Sequence, residues 1–355
     1  MLVNWKIEYC DEKPANKQPP DYFVKGKQYW FYRYFKEQPE VDVIDTKSFS
    51  WIEHFEKRKL HFYILQGLKA IPKLNKYDLI VSHGMPSAVI VALWRKFFKT
   101  KSKHIVFDIG CFNSASESGV TFKLMQFISK SIDRIIYHTS CQEQYYRKFF
   151  PWIKGKTDFL CFGADYSYIN SIEPNIRKDR NSYILCVGGG WRDRDTLVKA
   201  YRNLDTNIPL RFVGQIVNEY KGIKGIEQVD KVSFTTLLDY IDNALFCVLP
   251  LVWKNYSYGQ MTLLDQMSMG KCVVAARVPS LVDYAEDGKT VMFYEPQNID
   301  DCTRVMKMAL NNKKLRNQIG IAAKNSVENK CNEEIMAKKI EKIMKNCYEG
   351  VIINE

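Results

Sequence analysis

Residues 253–284, WKNYSYGQMTLLDQMSMGKCVVAARVPSLVDY, decide the fold of this chain. An apolar run of strand length, LFCVLPL at 245–251, leads into them, and residues 272–276 form a second such run. Between the two, the apolar residues of 260–269 recur at close to helical spacing, and Gly270 follows as a helix C-cap. The pattern predicts strand, loop, helix and strand, which is one βαβ unit of a parallel sheet.

The loop of this unit is polar and aromatic and leads through Gly259 into the helix. Free backbone N–H groups and the helix dipole at such a terminus favour an anionic phosphate. Asp265 lies two turns further along, where its carboxylate can accept hydrogen bonds from ribose hydroxyls. An ordinary βαβ unit with an exposed Asp gives the same pattern, so the residues alone leave both interpretations open.

The stretch resembles the nucleotide-sugar motif of GT-B glycosyltransferases, in particular the large retaining family 4. That family carries two glutamates eight residues apart, and this chain has Ser257 and Asp265 at that spacing. The resemblance implies the GT-B fold, which consists of two Rossmann-like, doubly wound α/β domains facing a central cleft. It predicts an N-terminal acceptor-binding domain over 1–165, a nucleotide-sugar-binding domain over 166–331, and a terminal helix in 332–355 that packs back on the first domain.

Composition narrows the class of protein. The 355 residues suffice for two domains, and 46% hydrophobic with 26% charged residues is typical of a globular protein. There is no apolar run of transmembrane length, and the ten cysteines are scattered singly, as expected of a cytoplasmic protein. The net charge of +12 favours anionic substrates or an anionic membrane surface, while no basic-aromatic motif indicates nucleic acid.

One basic, aromatic segment bears on location. Residues 94–104, WRKFFKTKSKH, end a predicted helix, and such a segment can lie at a lipid headgroup layer. A solvated helix end with Phe97 or Phe98 packed inward explains it equally well. We therefore expect a cytoplasmic protein, with peripheral attachment to the inner face of the membrane as an open alternative.

The first domain alternates short apolar strands with helical patterns, which indicates a parallel, doubly wound sheet. Strands are predicted at 41–45, 78–82, 105–109 and 134–137, and helices at about 56–71, 86–98, 120–131 and 141–149. Residues 10–28 are polar and read as a loop, and residues 166–181 are predicted to link the domains.

Ligands of such sheets bind beyond the carboxyl ends of the strands, which singles out His83 and Asp108. Asp108 is predicted to be catalytic, because it ends a buried strand beside the cleft. Many family members carry a His at about this place. An Asp that caps the backbone of the following loop is an equal alternative. His83 is predicted to bind the acceptor, against the alternative of a hydrogen-bonded structural histidine.

Three glycines, Gly188 to Gly190, follow the strand predicted at 183–187, and glycine allows the backbone to approach a ligand closely. Arg192 and Arg194 come next, and guanidinium groups bind phosphate oxygens bidentately. Both arginines are predicted to contact the diphosphate, with Arg192 also neutralising the leaving group. The alternative is that they pair with Asp193 and Asp195 on a helix surface.

Together, these residues and the resemblance predict a hexosyltransferase that moves a sugar from a nucleoside diphosphate, UDP or GDP, to a saccharide or lipid-linked acceptor in polysaccharide or glycoconjugate synthesis. The resemblance implies retention, no metal and no cofactor. A nucleotide-sugar epimerase and a catalytically silent GT-B subunit are the alternatives. The predicted donor-binding residues are Gly189, Gly190, Arg192, Arg194, Ser257, Tyr258, Gly259, Gln260, Met261 and Asp265.

Overall fold

Two parallel β-sheets, one in each half of the chain, carry the fold in the computed structural model, which describes residues 1–14, 17–172 and 182–350. The first half contains a two-stranded pair and a sheet of order β3-β4-β5-β6. These strands are β1 Glu8–Cys10, β2 Tyr22–Val24, β3 Leu79–His83, β4 Lys103–Asp108, β5 Arg134–Tyr137 and β6 Thr157–Phe159.

The second half forms a sheet of order β12-β11-β10-β7-β8-β9, in which all neighbours are parallel. Its strands are β7 Ile184–Val187, β8 Leu210–Val213, β9 Ile226–Val229, β10 Phe246–Leu249, β11 Val273–Ala276 and β12 Met292–Tyr294. The strand order reverses between β7 and β10, so the loops that follow these two strands lie side by side. Such a switch point is where open α/β sheets bind their ligands.

Helices cover the faces of both sheets. In the first half they are α1 Ser50–Phe55, α2 Ile64–Ala70, α3 Met85–Phe97, α4 Cys111–Ser114, α5 Val120–Ile128 and α6 Cys141–Phe149. In the second half they are α7 Tyr166–Ser171, α8 Arg194–Arg202, α9 Phe234–Asn243, α10 Gln260–Ser268, α11 Pro279–Val282, α12 Ile299–Asn311, α13 Lys313–Lys330 and α14 Glu333–Glu349. Across the described ranges, no helix is both long enough and apolar enough to cross a bilayer.

In the first half, one predicted strand and one predicted helix differ from the structure. The strand predicted at 41–45 is only an isolated bridge at Ile44, which pairs with Leu2. The helix predicted at 56–71 is broken, because His61 adopts a left-handed conformation with φ of 60°. A π-helical turn, Glu56–Leu60, therefore precedes α2 instead of one continuous helix.

Two chain segments join the halves on one side. Of the predicted linker, Tyr166–Ser171 is helix α7 rather than loop, because Asp165 caps its first turn, and residues 173–181 lie outside the described ranges. Helix α14 packs its buried face, including Ile340, into the core of the first half. The boundaries at 165 and 331 remain predictions.

The segment predicted as a loop at 10–28 contains β2 and reaches the second half. The Lys13 ammonium lies 4.3 Å from the centre of the Tyr168 ring in α7. This segment therefore forms part of the contact between the two halves.

Candidate functional site

The two loops at the switch point are built around glycines. Gly188 has φ of +92°, and a β-carbon on Gly189 would lie only 2.3 Å from the Gln215 side chain. The neighbouring Gly214 packs so closely that its own β-carbon would come within 3.3 Å of the Gly188 Cα atom. Gly190, by contrast, faces open space and is exposed. The loop is thus fixed on its inner side and accessible on its outer side.

Arg192 lies across this loop and contacts only neutral oxygens in the described residues. Its Nε donates to the Val187 carbonyl at 2.9 Å, one Nη to the Gly190 carbonyl at 3.1 Å, and the other to Thr262 Oγ1 at 3.1 Å. Burial lowers the pKa of its guanidinium, and this group stays charged in proteins. Arg192 therefore joins the loop after β7 to the first turn of α10, and within the described part of the chain no carboxylate there neutralises its charge.

Arg194 is placed differently from its neighbour, since only 6% of it is exposed. One Nη donates to the Gly188 carbonyl at 3.0 Å, and the guanidinium lies 5.1 Å from the Phe212 ring centre. Its Nε and other Nη have no partner among the described atoms. A buried, partly unpaired guanidinium beneath the glycine loop adds positive potential there.

The predicted alternative for these arginines, pairing with neighbouring carboxylates, is wrong for the described structure. Asp193 instead caps α8 by accepting from the Thr196 N–H at 3.1 Å. Asp195 accepts from the Tyr220 hydroxyl at 2.5 Å. Both acids thus have other partners.

The loop after β10 ends at Gly259, the N-cap of α10, with φ of +80°. A β-carbon there would lie 2.5 Å from Leu251 Cδ1, so both conformation and packing require glycine. Ser257 is buried, and its hydroxyl accepts a 2.7 Å hydrogen bond from Gln260 Nε2. Tyr258 donates to the Val252 carbonyl. These bonds fix the loop and leave the first N–H groups of α10 available, with Met261 exposed beside them.

Asp265 lies on α10 and is half-buried. No hydrogen bond to its carboxylate is found within the described parts of the chain. Burial raises its pKa to about 7, and the nearby Asp165 carboxylate adds to the rise. An unpaired, partly desolvated carboxylate can accept hydrogen bonds from a ligand's hydroxyl groups.

Asp108 ends β4 and is completely buried. Its Oδ2 accepts from the Phe112 N–H at 2.8 Å and from the Tyr146 hydroxyl at 2.6 Å, while Oδ1 has no partner among the described atoms. Burial raises its pKa to about 6 against the opposing effect of these two bonds. The capping interpretation of Asp108 describes its contacts, and its catalytic role stays a prediction.

His83, at the end of β3, is 6% exposed and packs against Trp5 at 4.7 Å and Phe107 at 5.8 Å between ring centres. Burial and the nearby His138 lower its pKa to about 3, so it is neutral. His138 is likewise buried, with its pKa lowered to about 4. His83 thus lies in an aromatic cluster, and its contact with an acceptor stays a prediction.

A contact that the sequence did not indicate joins the halves beside this cluster. The Asp283 carboxylate accepts from Thr139 Oγ1 at 3.0 Å and from the Ser140 N–H and hydroxyl at 2.8 and 2.7 Å. The adjacent Tyr284 hydroxyl donates to the His138 carbonyl at 2.6 Å. Asp283 therefore caps α6 of the opposite half, and no local pattern distinguishes it from a surface carboxylate.

The sequence of this chain is similar to that of known proteins in its second half. Residues 168–312 match the family model described as Glycosyl transferases group 1. Sulfoquinovosyl transferase SQD2 from Arabidopsis thaliana is 32% identical over 71 residues, which are 19% of this chain and only 14% of that protein's length.

Solved structures match over most of the chain. Sucrose-phosphate synthase from Thermosynechococcus elongatus has a TM-score of 0.68 at 16% identity, covering 88% of this chain and 86% of its own. Alr3699/HepE from Anabaena, solved in complex with UDP, has a TM-score of 0.68 at 11% identity, with 86% of each chain covered. The predicted α/β fold of two Rossmann-like domains is thereby confirmed.

Proposed function

Since residues 168–312 of this chain match the family model of the group 1 glycosyl transferases and the chain has the GT-B fold, we propose that it transfers a sugar from a nucleoside diphosphate to an acceptor. One observation carries the proposal. The glycine loop with Arg192, the open N-terminus of α10 and the unpaired Asp265 carboxylate lie on adjacent elements at the switch point of one sheet.

Each part has a role in holding the donor. Gly189 and Gly190 let the backbone approach the diphosphate, while Arg192 and the α10 terminus neutralise the charge that grows on it as the bond to the sugar breaks. Arg194 supports this potential from beneath the loop. The loop of Ser257 to Met261 holds sugar and phosphate, and Asp265 accepts from the ribose hydroxyls.

The finer features of the reaction are also part of the proposal. We expect a hexosyl group, retention at the anomeric carbon, and no metal, because cationic side chains and a helix terminus are present where a metal would serve. Uridine is favoured as the base by the UDP bound to HepE, with guanosine second. The first domain would hold a saccharide or lipid-linked acceptor near His83 and Asp108.

A silent GT-B subunit is the second candidate, and two observations favour it. Ser257 replaces an acid of the family motif, and Asp108 caps a loop with both its donors provided by protein. Release of nucleoside diphosphate that depends on acceptor would exclude this candidate. Conversion of the nucleotide sugar into its epimer, without an acceptor and without net release of nucleotide, would instead indicate an epimerase.

For location, we propose peripheral attachment to the cytoplasmic face of a membrane. Phe97 and Phe98 are 68% and 51% exposed beside Lys96 and Lys99, which supports the membrane interpretation of residues 94–104. A second exposed set, Phe49, Trp51 and Phe55, precedes the basic residues Lys57, Arg58 and Lys59. Aromatic rings beside cations suit an anionic headgroup layer.

The membrane proposal is tested with vesicles that contain or lack phosphatidylglycerol. Trp51→Ala should reduce co-sedimentation with the anionic vesicles several-fold, whereas Ile321→Ala, an exposed apolar residue on α13, should not. Equal binding by both variants would remove this surface from the proposal.

The donor site is tested by a thermal-shift panel of UDP, GDP, ADP and CMP with their common sugar conjugates. A ligand that binds only the folded state raises the melting temperature by mass action. We expect one base to stabilise the wild type, with the shift lost in Asp265→Ala. If no nucleotide stabilises the wild type at millimolar concentration, the donor site is wrongly assigned.

A further inference from the structure

Helix α4, Cys111–Ser114, is a helical turn of the opposite hand to ordinary helices. Cys111 and Phe112 have φ of +49° and +44°, and Ser114 and Ala115 have φ of +59° and +58°. The Ser114 and Ala115 N–H groups donate to the carbonyls of Gly110 and Cys111, which closes the turn. Left-handed conformations are unfavourable for residues with a β-carbon, and successive ones are rarer still. The surrounding structure must hold this turn in place.

Part of the support comes from the first domain. The Asp108 carboxylate accepts from the Phe112 N–H at 2.8 Å, and the Phe112 ring is buried 4.6 Å from the Phe150 ring centre. Tyr145 donates its hydroxyl to the Ser116 carbonyl just beyond the turn. These contacts fix the start and the end of the turn.

The rest of the support comes from the second domain, from the loop that leads into α10. Tyr256 is only 7% exposed, and its side chain belongs to the same hydrophobic core of the first domain as Phe112. Burial raises the pKa of its hydroxyl, and the Ser114 side chain inside the turn opposes that rise. The next residue, Ser257, donates its backbone N–H to the Ile109 carbonyl at 3.2 Å. The loop is therefore docked on the left-handed turn three residues before Gly259.

We propose that Tyr256 is a positioning residue whose docking on the left-handed turn sets the α10 terminus against the acceptor domain. The turn stores strain that Tyr256 and Ser257 hold in place, so loss of docking lets the turn relax and the donor loop move away. Docking thus couples the position of the donor-binding loop in one domain to the backbone conformation beside Asp108 in the other. Its catalytic consequence rests on the proposed function, whereas the docking itself does not.

The docking is tested by amide hydrogen exchange on the full-length chain. Tyr256→Ala should speed exchange in residues 110–116 by about tenfold or more, although the substitution lies in the other domain. Tyr256→Phe, which keeps the ring and loses one hydroxyl, should have a smaller effect. Tyr348→Ala, an exposed tyrosine on α14, is the matched control and should leave these residues unchanged. Unchanged exchange in Tyr256→Ala, with β7–β12 still protected, would overturn the proposal.

The strain is tested separately by glycine substitution. Ala115→Gly should raise the melting temperature by about 2 °C, because glycine adopts the left-handed conformation without penalty. Ala322→Gly, on the right-handed helix α13, should lower it by a similar amount. If Ala115→Gly is as destabilising as Ala322→Gly, the turn is not strained in solution and the proposal fails.

The positioning role is tested by kinetics and titration. In Tyr256→Ala, the transfer rate should fall by about tenfold while the Kd for the nucleotide sugar stays within about twofold, and Tyr256→Phe should recover most of the rate. An equal loss of affinity and rate would assign Tyr256 to donor binding instead. Absence of transfer by the wild type would refute the proposed function, while the exchange experiment would still decide the docking.

Discussion

Replacing Asp265 by Asn gives the sharpest test of the donor site, because it removes one charge and keeps the shape. The carboxylate has no hydrogen-bond partner in the described structure, and its pKa is raised to about 7 by burial and by Asp165. If it accepts hydrogen bonds from ribose, only its ionised form binds well. With a pKa of about 7, the ionised fraction falls roughly tenfold between pH 8 and pH 6.

Wild-type affinity for the nucleotide sugar should therefore weaken about tenfold from pH 8 to pH 6 in isothermal titration. The sugar conjugate is the right ligand, because it lacks the terminal phosphate whose second ionisation falls in the same range. Asp265→Asn should bind about 10- to 150-fold more weakly at pH 8, since hydrogen bonds to a charged group contribute about 1.5–3 kcal/mol. Its affinity should be nearly constant over this range.

The same substitution should have the opposite effect on the ligand-free protein. A carboxyl whose pKa is raised on folding stabilises the fold at low pH, and that contribution is lost as the pH rises through about 7. Asp265→Asn should therefore raise the melting temperature at pH 8, whereas Asp300→Asn, an exposed acid on α12, should not. A wild-type affinity that changes no more with pH than that of Asp265→Asn would refute the ribose assignment.

Three further substitutions, one of them with a matched control, test the surrounding structure. Gly259→Ala should lower the free energy of unfolding in urea by about 1–3 kcal/mol and abolish nucleotide binding in titration. The control Gly222→Ala, which has a similar φ but open space around it, should lower the free energy of unfolding by about 1 kcal/mol and leave nucleotide binding intact. His138→Gln should gain stability relative to the wild type as the pH falls from 7 to 5, because only the wild type takes up a proton at residue 138 on unfolding. The same dependence of melting temperature on pH in both proteins would contradict the lowered pKa of His138. Asp283→Asn should weaken the contact between the domains, so small-angle scattering should detect a larger radius of gyration, and an unchanged radius would show that this carboxylate does not hold the domains together.

The central βαβ unit was predictable because its signals are local. The helix predicted at 260–269 is α10, Gln260–Ser268, and the strand predicted at 272–276 is β11, Val273–Ala276. Ser233, a typical N-cap residue, accepts from the Thr236 N–H at the start of α9. Helical periodicity, glycine and capping residues act within a few positions of the chain, so they can be read there.

Other features depend on residues distant in sequence. The left-handed turn at α4 has no glycine to indicate it, and one of its supports, Tyr256, is more than 140 positions away. Strand β6 was missed because it is three residues long and contains Asp158, which pairs with Arg134 of β5 at 2.6 Å. The orientation of Arg192 could be predicted only in outline, since Thr262 on another element determines where it points.

The place where the chain crosses between the domains suggests a site for domain exchange. Ala164 and Asn332 form a parallel bridge, with the Ala164 N–H bonded to the Cys331 carbonyl and the Glu333 N–H to the Ala164 carbonyl. Glycine is needed at position 163, because a β-carbon there would lie 2.2 Å from the Asn332 carbonyl oxygen. The chain therefore passes into the second domain and back to the first at one pair of hydrogen-bonded segments. Replacing the second domain by that of a relative, joined at these residues, should therefore leave the strand pairing of the first domain unchanged.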